Sequence, residues 1–317
     1  MLKEAKDSQA LGHAALAERN LEGTLGLGVI AEVIQHELKV FWGFTWRDWS
    51  ASVVPGAMYT LAALRSLDSA LTIDVVARGI GRSVVYFLLF IYAFDLANQI
   101  NGVAEDKINK PDRPIASGLS SLKGAYMRWH VTNAILLFLG AAWGVLPWAA
   151  LWIIVTIYTS FYGGDKHWAT KNLVFMSVGS FCVLQSAWGL GAPIGPQTLR
   201  WDLILSGAFG IVASIQDMRD AEGDRIAGRR TLPIILGNSF RPAMAIVICA
   251  MPAVCWKLDF LRRSHWMVGY CGVLLTLAMF YMAQRVVRGF SARYDHKTYM
   301  ILTYIFCGCV AVPMLFP

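Results

Sequence analysis

Two runs of acidic and amide residues hold the groups most able to do chemistry in this 317-residue chain. The first reads Asn98-Gln99-Ile100-Asn101-Gly102-Val103-Ala104-Glu105-Asp106-Lys107 and continues to Arg113-Pro114. The second reads Gln216-Asp217-Met218-Arg219-Asp220-Ala221-Glu222-Gly223-Asp224-Arg225. If the first run is helical, Asn98, Gly102, Glu105 and Asp106 share one face. In the second, Asp217, Asp220 and Asp224 do the same. Carboxylates gathered on facing helix ends repel unless a cation lies between them. Mg²⁺ suits that place, because it takes oxygen ligands, keeps several waters and bridges a few carboxylates to substrate phosphates. Asn98, Glu105, Asp106, Asp217, Asp220 and Asp224 are therefore the candidate catalytic residues and metal ligands. The bland alternative is a pair of solvated juxtamembrane charge clusters, and the matched spacing argues against it.

Basic residues gather in the same stretches: Arg113, Lys166, Lys171, Arg225, Arg229 and Arg230. A diphosphate needs charge-assisted donors as well as metal. Arg113 and Lys166 sit among other unusual polar residues and are favoured for that task, with Arg225 beside them. For any single one, a purely topological role is the competing reading. The two acidic loops also echo each other: Asp106-Lys-Ile…Arg-Pro-Ile115-Ala-Ser-Gly118 against Asp224-Arg-Ile…Leu-Pro-Ile234-Ile-Leu-Gly237.

The elements that must position these residues are membrane helices. Only 15% of the residues are charged and 56% are hydrophobic. Soluble domains carry about 25% charge. Nine segments are apolar enough to be candidate spans: 47–65, 84–101, 124–143, 147–164, 172–190, 201–218, 241–259, 266–284 and 298–316. An amphipathic stretch at 28–40 precedes them, followed by Trp42, Trp46 and Trp49 where an aromatic belt belongs. Connections after the even-numbered segments carry 15 Lys and Arg, against 7 after the odd-numbered ones. The even-numbered connections, which hold the polar motifs, are expected on the cytosolic side. Residues 1–24 are polar, without an apolar core and cleavage site, and are expected to be a flexible cytosolic tail before a single membrane domain at 25–317. The net charge of +7 sits in loops between apolar segments, which points to topology and not to nucleic acid. The six cysteines lie in or beside apolar segments, without metal-ligand spacing, and read as packing residues. Nothing in the sequence calls for an obligate protein partner.

At the two motifs the chain resembles the UbiA superfamily of intramembrane prenyltransferases. The match runs through Asn98, Asp106, Arg113-Pro114 and Ser117-Gly118, then Asp217, Asp220, Gly223-Asp224, Thr231-Leu-Pro233 and Gly237. The segment from Tyr158 to Asn172, with Lys166, loosely resembles the family's helix 4–5 segment. Gln99 and Gly102 stand where the family has acids, and Glu105 is added beside Asp106. That pattern is similar to the fungal branch of UbiA-type terpene cyclases. The resemblance implies an all-α integral membrane fold of nine transmembrane helices around a central cavity open to the cytosol and laterally to lipid. It also implies Mg²⁺, a prenyl diphosphate substrate (geranylgeranyl or farnesyl) and Tyr158 among the diphosphate-binding residues.

Ionising an allylic diphosphate leaves a carbocation that must be kept from water. Tyr92, Phe94, Phe161, Phe181 and Trp188 are candidates to stabilise it, although aromatics in membrane helices are more often packing residues. Asp95 and Gln185 join them, because polar groups inside spanning helices are costly and often functional. Three functions follow in order: a terpene cyclase, a prenyltransferase acting on an aromatic acceptor, and, distantly, an ion-coupled transporter or lipid-binding protein. An endoplasmic reticulum or other endomembrane location is expected.

Overall fold

The computed structural model describes residues 28–67, 71–226, 228–257 and 266–315. The polar stretch at 1–24 lies outside them. Helix α1 covers 28–45. Its Val29, Ile30, Val33, Ile34 and Leu38 are all more than half exposed. An outward apolar stripe is what an interfacial helix presents to a bilayer. The chain divides into two compact units at Phe44/Thr45, and the site lies wholly in the second.

Among its described residues that unit is built of helices joined by turns, with no strand. After a 3₁₀ turn at Trp49–Ala51 come α2 (Val53–Arg65), α3 (Ile73–Asn101), the short α4 (Val103–Asn109), α5 (Leu122–Ala142) and α6 (Leu146–Phe161). A π-helical stretch, Ala169–Met176, leads into α7 (Ser177–Gly191). Helix α8 (Pro196–Val212) tightens into a 3₁₀ segment, Ala213–Met218. Then follow α9 (Ala221–Ile226), α10 (Leu232–Leu236), α11 (Phe240–Lys257), α12 (Trp266–Arg288) and α13 (Ala292–Leu315). Among the described residues six helical stretches are long and apolar enough to cross a bilayer: Ile73–Asn101, Ala169–Gly191, Pro196–Met218, Leu232–Val254, Trp266–Arg288 and Ala292–Leu315. The helix starts obey local chemistry. Thr72 and Ser121 accept from Val75 and Gly124 backbone N–H groups, and Pro opens α6 and α8.

Close packing holds the helices that carry the motifs. Trp152 of α6 stacks on Phe90 of α3 with centroids 4.1 Å apart and planes 5° apart. Its indole N–H donates to the Phe90 carbonyl at 2.8 Å, so the indole is satisfied without water. Helices α7 and α8 approach so closely that a Cβ on Gly210 would stand 2.7 Å from the Ser177 backbone nitrogen. Deeper in the bundle, Tyr59 of α2 donates to Asp202 Oδ1 of α8 at 2.8 Å, and Gln185 of α7 donates to Oδ2 at 2.5 Å. This lock gives Gln185 a structural partner that the sequence did not reveal. Removing one member of such a buried group costs about 3–5 kcal/mol when it strands a charge.

Candidate active site

Both acidic runs depart from a continuous helix. At the first, α3 ends at Asn101 and Gly102 caps it with φ −91° and ψ 11°. The backbone still carries the i→i+4 pattern across the break: Gly102 N to Asn98 O at 2.9 Å, Asp106 N to Gly102 O at 2.8 Å. At the second, the tighter 3₁₀ turn carries Asp217, and α9 carries Asp224. The one-face expectation therefore survives in part. Asp217 and Asp224 both approach Lys171, at 2.8 and 3.8 Å, whereas Asp220 turns to Arg219 at 3.2 Å.

The two motifs face each other, and side-chain cations stand between the acids. Arg229 meets Glu105 of the first motif at 2.8 Å and Asp224 of the second at 3.0 Å. It also meets Asp165 of the α6–α7 connection at 3.1 Å. Burial works against the Arg229 charge, but Glu105, Asp224 and Asp165 outweigh it and hold its pKa above the usual guanidinium range. One nitrogen of Arg113 bridges both oxygens of Asp106 at 2.8 and 2.9 Å. Asp217, only 1% exposed, takes Lys171 on one oxygen and the Asn172 amide on the other at 2.9 Å. Lys110 lies close to Asp106, Asp220, Arg113 and Arg219; burial, helped by Arg113, lowers its pKa below the ordinary 10.5.

Of the predicted diphosphate group, Arg113 lies inside this cluster. Lys166 and Arg225 are exposed beside it. Tyr158 is 44% exposed and its ring packs against the Gly164 turn. Lys171 and Arg229, which the sequence marked only as two of six clustered cations, stand directly against the acids, and so do Asp165 and Asn172, which it did not mark. Their signal was faint: they lie in two connections without regular pattern. A parallel β-bridge between His167 and Arg230 joins those connections. Arg230 N donates to Lys166 O at 2.8 Å and Trp168 N to Arg230 O at 3.0 Å. The echo between the acidic loops has a structural counterpart. Each final Asp takes an Arg from its own loop, and Gly118 and Gly237 both adopt positive φ, 81° and 52°.

The predicted aromatics do not form one wall. Phe94 packs against Phe175 with ring centroids 5.0 Å apart and lies one helical turn below Asn98. Asp95 is fully buried near Asp48 and Arg113, and Tyr92 is buried on the same helix. Phe161 packs on Trp129, Phe181 on Trp148 and Trp188 on Tyr59. A wholly apolar cavity lies elsewhere, among α8, α11, α12 and α13. Phe209 and Phe306 line it with centroids 4.5 Å apart, and it reaches Val212, next to the segment that carries Asp217. None of the predicted aromatics lines it.

The donor set fits a hard divalent cation. Asp165 Oδ1, Asn172 Oδ1 and Asp224 Oδ2 are buried oxygens without a hydrogen-bond partner, and oxygen donors of this kind suit Mg²⁺. Among the described residues no three His, Cys, Asp or Glu side chains are placed to hold a metal as they stand, and Arg229 lies between Glu105, Asp165 and Asp224. Seating a metal therefore requires the acids to turn away from their present cationic partners.

Residues 52–306 match the UbiA prenyltransferase family. The chain is 39% identical to diterpene cyclase eriG of Hericium erinaceus, covering 88% of each protein. It is 37% identical to polyprenyl transferase eriF of the same fungus over 86% of this chain and 93% of that one. Against somaliensene A/B synthase of Streptomyces somaliensis the figures are 34%, 85% and 90%. Two solved structures share the fold. A digeranylgeranylglyceryl phosphate synthase aligns with TM-score 0.63 at 16% identity, covering 88% of this chain and 97% of that one. A UbiA homologue from Archaeoglobus fulgidus, bound to GPP and Mg²⁺, aligns with TM-score 0.61 at 13% identity, covering 86% and 99%.

Proposed function

The chain belongs to the UbiA prenyltransferase family, and we propose that it is a membrane terpene cyclase that ionises a linear prenyl diphosphate of C15 or C20 length. The observation that carries this reading is the bridge from Glu105 through Arg229 to Asp224, which brings both acidic motifs to one place. Arg113 and Lys171 lie beside that bridge as donors for the diphosphate, with Lys166 and Arg225 at the rim. Glu105, Asp106, Asp217, Asp220 and Asp224, with Asn98, would hold Mg²⁺. The metal, when bound, neutralises charge on the departing pyrophosphate.

The chain's own residues do the rest. Arg113 and Lys171 neutralise and orient the diphosphate as the allylic C–O bond breaks and its electron pair leaves with the pyrophosphate. The cation then closes on its own double bonds and loses a proton, so one hydrocarbon forms per pyrophosphate. The apolar cavity beside Val212 gives the isoprenoid a dry wall, and Phe209 and Phe306 offer ring faces to a desolvated cation. Phe94 and Asp95 lie on α3, about one turn before Asn98. We place this site at the cytosolic face of nine spanning helices in an endomembrane, following the charge asymmetry of the loops.

The test is incubation of membranes with each prenyl diphosphate alone. Pyrophosphate and a cyclic hydrocarbon should appear in equal amounts, and Asp106→Ala and Asp217→Ala should abolish both. The 37% identity to a polyprenyl transferase keeps one rival in view. Turnover only in the presence of an aromatic acceptor, with the prenyl group attached to it, decides for that rival.

A further inference from the structure

We propose that Asp165 belongs to the metal-binding constellation and that Arg229 is the constellation's built-in counter-ion, which gives way when a divalent cation arrives. The proposal rests on the metal-dependent reading above and deepens it.

Three connections contribute one acid each: Glu105 after α3, Asp165 after α6 and Asp224 after the 3₁₀ segment. Arg229 touches all three within 3.1 Å. These acids share no sequence neighbourhood, so a single guanidinium at their meeting point does the work of a bridging cation. The arrangement is built and not accidental. The backbone bridge between His167 and Arg230 fixes the residues that flank Asp165 and Arg229. Gly163, at φ 75°, turns the chain just before Asp165.

The acids also retain capacity. Asp224 is 1% exposed, and its Oδ2 has no hydrogen-bond partner. Asp165 Oδ1 is likewise buried and unpartnered. A buried carboxylate oxygen left without a hydrogen bond is costly, and Lys171 stands 3.8 Å from Asp224 Oδ2. Metal coordination would use both oxygens. Arg229, displaced from the acids, would then lie beside the negative diphosphate, where a planar five-donor group is well matched. Its five donors need not be left unsatisfied at any stage.

The experiment uses the purified full-length protein in detergent without substrate. Mn²⁺ binding is followed by the resonance signal of the free ion, and thermal unfolding is followed with and without the metal. Arg229→Gln should lower the unfolding temperature in chelator yet tighten Mn²⁺ binding by about tenfold, since the internal cation that competes for the same acids is gone. Asp165→Asn should weaken Mn²⁺ binding by about tenfold, and should do so in the Arg229→Gln background too. Arg229→Lys, which keeps the charge but cannot fork to three acids, should fall between wild type and Arg229→Gln and covers the case in which the latter fails to fold. Mn²⁺ affinity unchanged or weakened in both Arg229 variants overturns the counter-ion. Unchanged affinity in Asp165→Asn overturns its place among the ligands. If wild type binds no Mn²⁺ and its turnover survives chelator, the metal-dependent reading falls first and this one with it. Binding that ignores Arg229 and Asp165 removes this inference alone.

Discussion

At the scale of single residues, the site is a set of acids already balanced by basic side chains. Arg113 on Asp106, Lys171 on Asp217 and Arg229 on Asp224 are largely buried pairs. Breaking such a pair costs about 3–5 kcal/mol, because the remaining charge is stranded. Lys110 is the exception: burial, and after it Arg113, outweigh the acids beside it. Its lowered pKa has a definite sign in pH. Between its folded value and the ordinary 10.5, the unfolded chain holds the proton and the folded one does not, so stability contributed by this group rises with pH in that window. A diphosphate placed near Lys110 restores the charge. Substrate binding in the same window should therefore take up a proton, and affinity should fall as pH rises through it. Calorimetry in two buffers of different ionisation heat reads the uptake directly, and Lys110→Met should abolish it. The acids themselves were legible in the sequence from spacing alone. Their partners Arg113, Lys171 and Arg229 were legible only as members of a cluster of six cations, and which acid each one meets was not. Asp165 and Arg229 meet only because two connections pair at His167 and Arg230, and no local pattern marks a contact between residues 64 apart.

At the scale of elements, the motifs sit where regular helices give out. Hydrophobic periodicity finds α3 and α8 because their apolar residues repeat. It does not register the cap at Gly102 or the tightening into Ala213–Met218, since both are backbone events with no change in apolar content. The Tyr59–Asp202–Gln185 lock escaped notice for a related reason: its members come from three helices. The crossing of α7 and α8 sets how far Lys171 and Asn172 stand from Asp217. Gly210 lies at that crossing, with the Ser177 backbone in the way of any Cβ. Gly210→Ala must push the helices apart, at a cost of about 1–3 kcal/mol. It should lower the unfolding temperature and slow pyrophosphate release, because the Lys171–Asp217 and Asn172–Asp217 contacts lengthen. Gly207→Ala, on the same helix with open space around its Cβ, is the control and should leave both nearly unchanged. Equal behaviour of the two variants would remove the crossing as the source of the site's geometry.

At the scale of the whole molecule, the question is which side of the membrane the site faces. The ion pairs Glu105–Arg229 and Asp165–Arg229 require the connections after α3, α6 and the Ala213–Met218 segment to lie at one end of the bundle. The Arg241–Asp295 pair, at 2.6 Å, and the Arg241 bond to the Val286 carbonyl bring the α12–α13 connection to the start of α11. These are the connections rich in Lys and Arg. Insertion keeps short basic loops in the cytosol, so the shared end should be cytosolic. An impermeant maleimide applied to sealed microsomes decides it, in a background with the six native cysteines replaced. Lys123→Cys and Arg288→Cys, both exposed, should label from outside. Ile73→Cys, at a position 91% exposed, and Gln197→Cys should label only after detergent opens the vesicles. Labelling of Lys123→Cys only after detergent would invert the bundle. Water-soluble diphosphate would then have to enter, and pyrophosphate leave, on the lumenal side. The outcome thus bears on where substrate is supplied as much as on topology, because a diphosphate head group cannot cross the hydrocarbon core unaided.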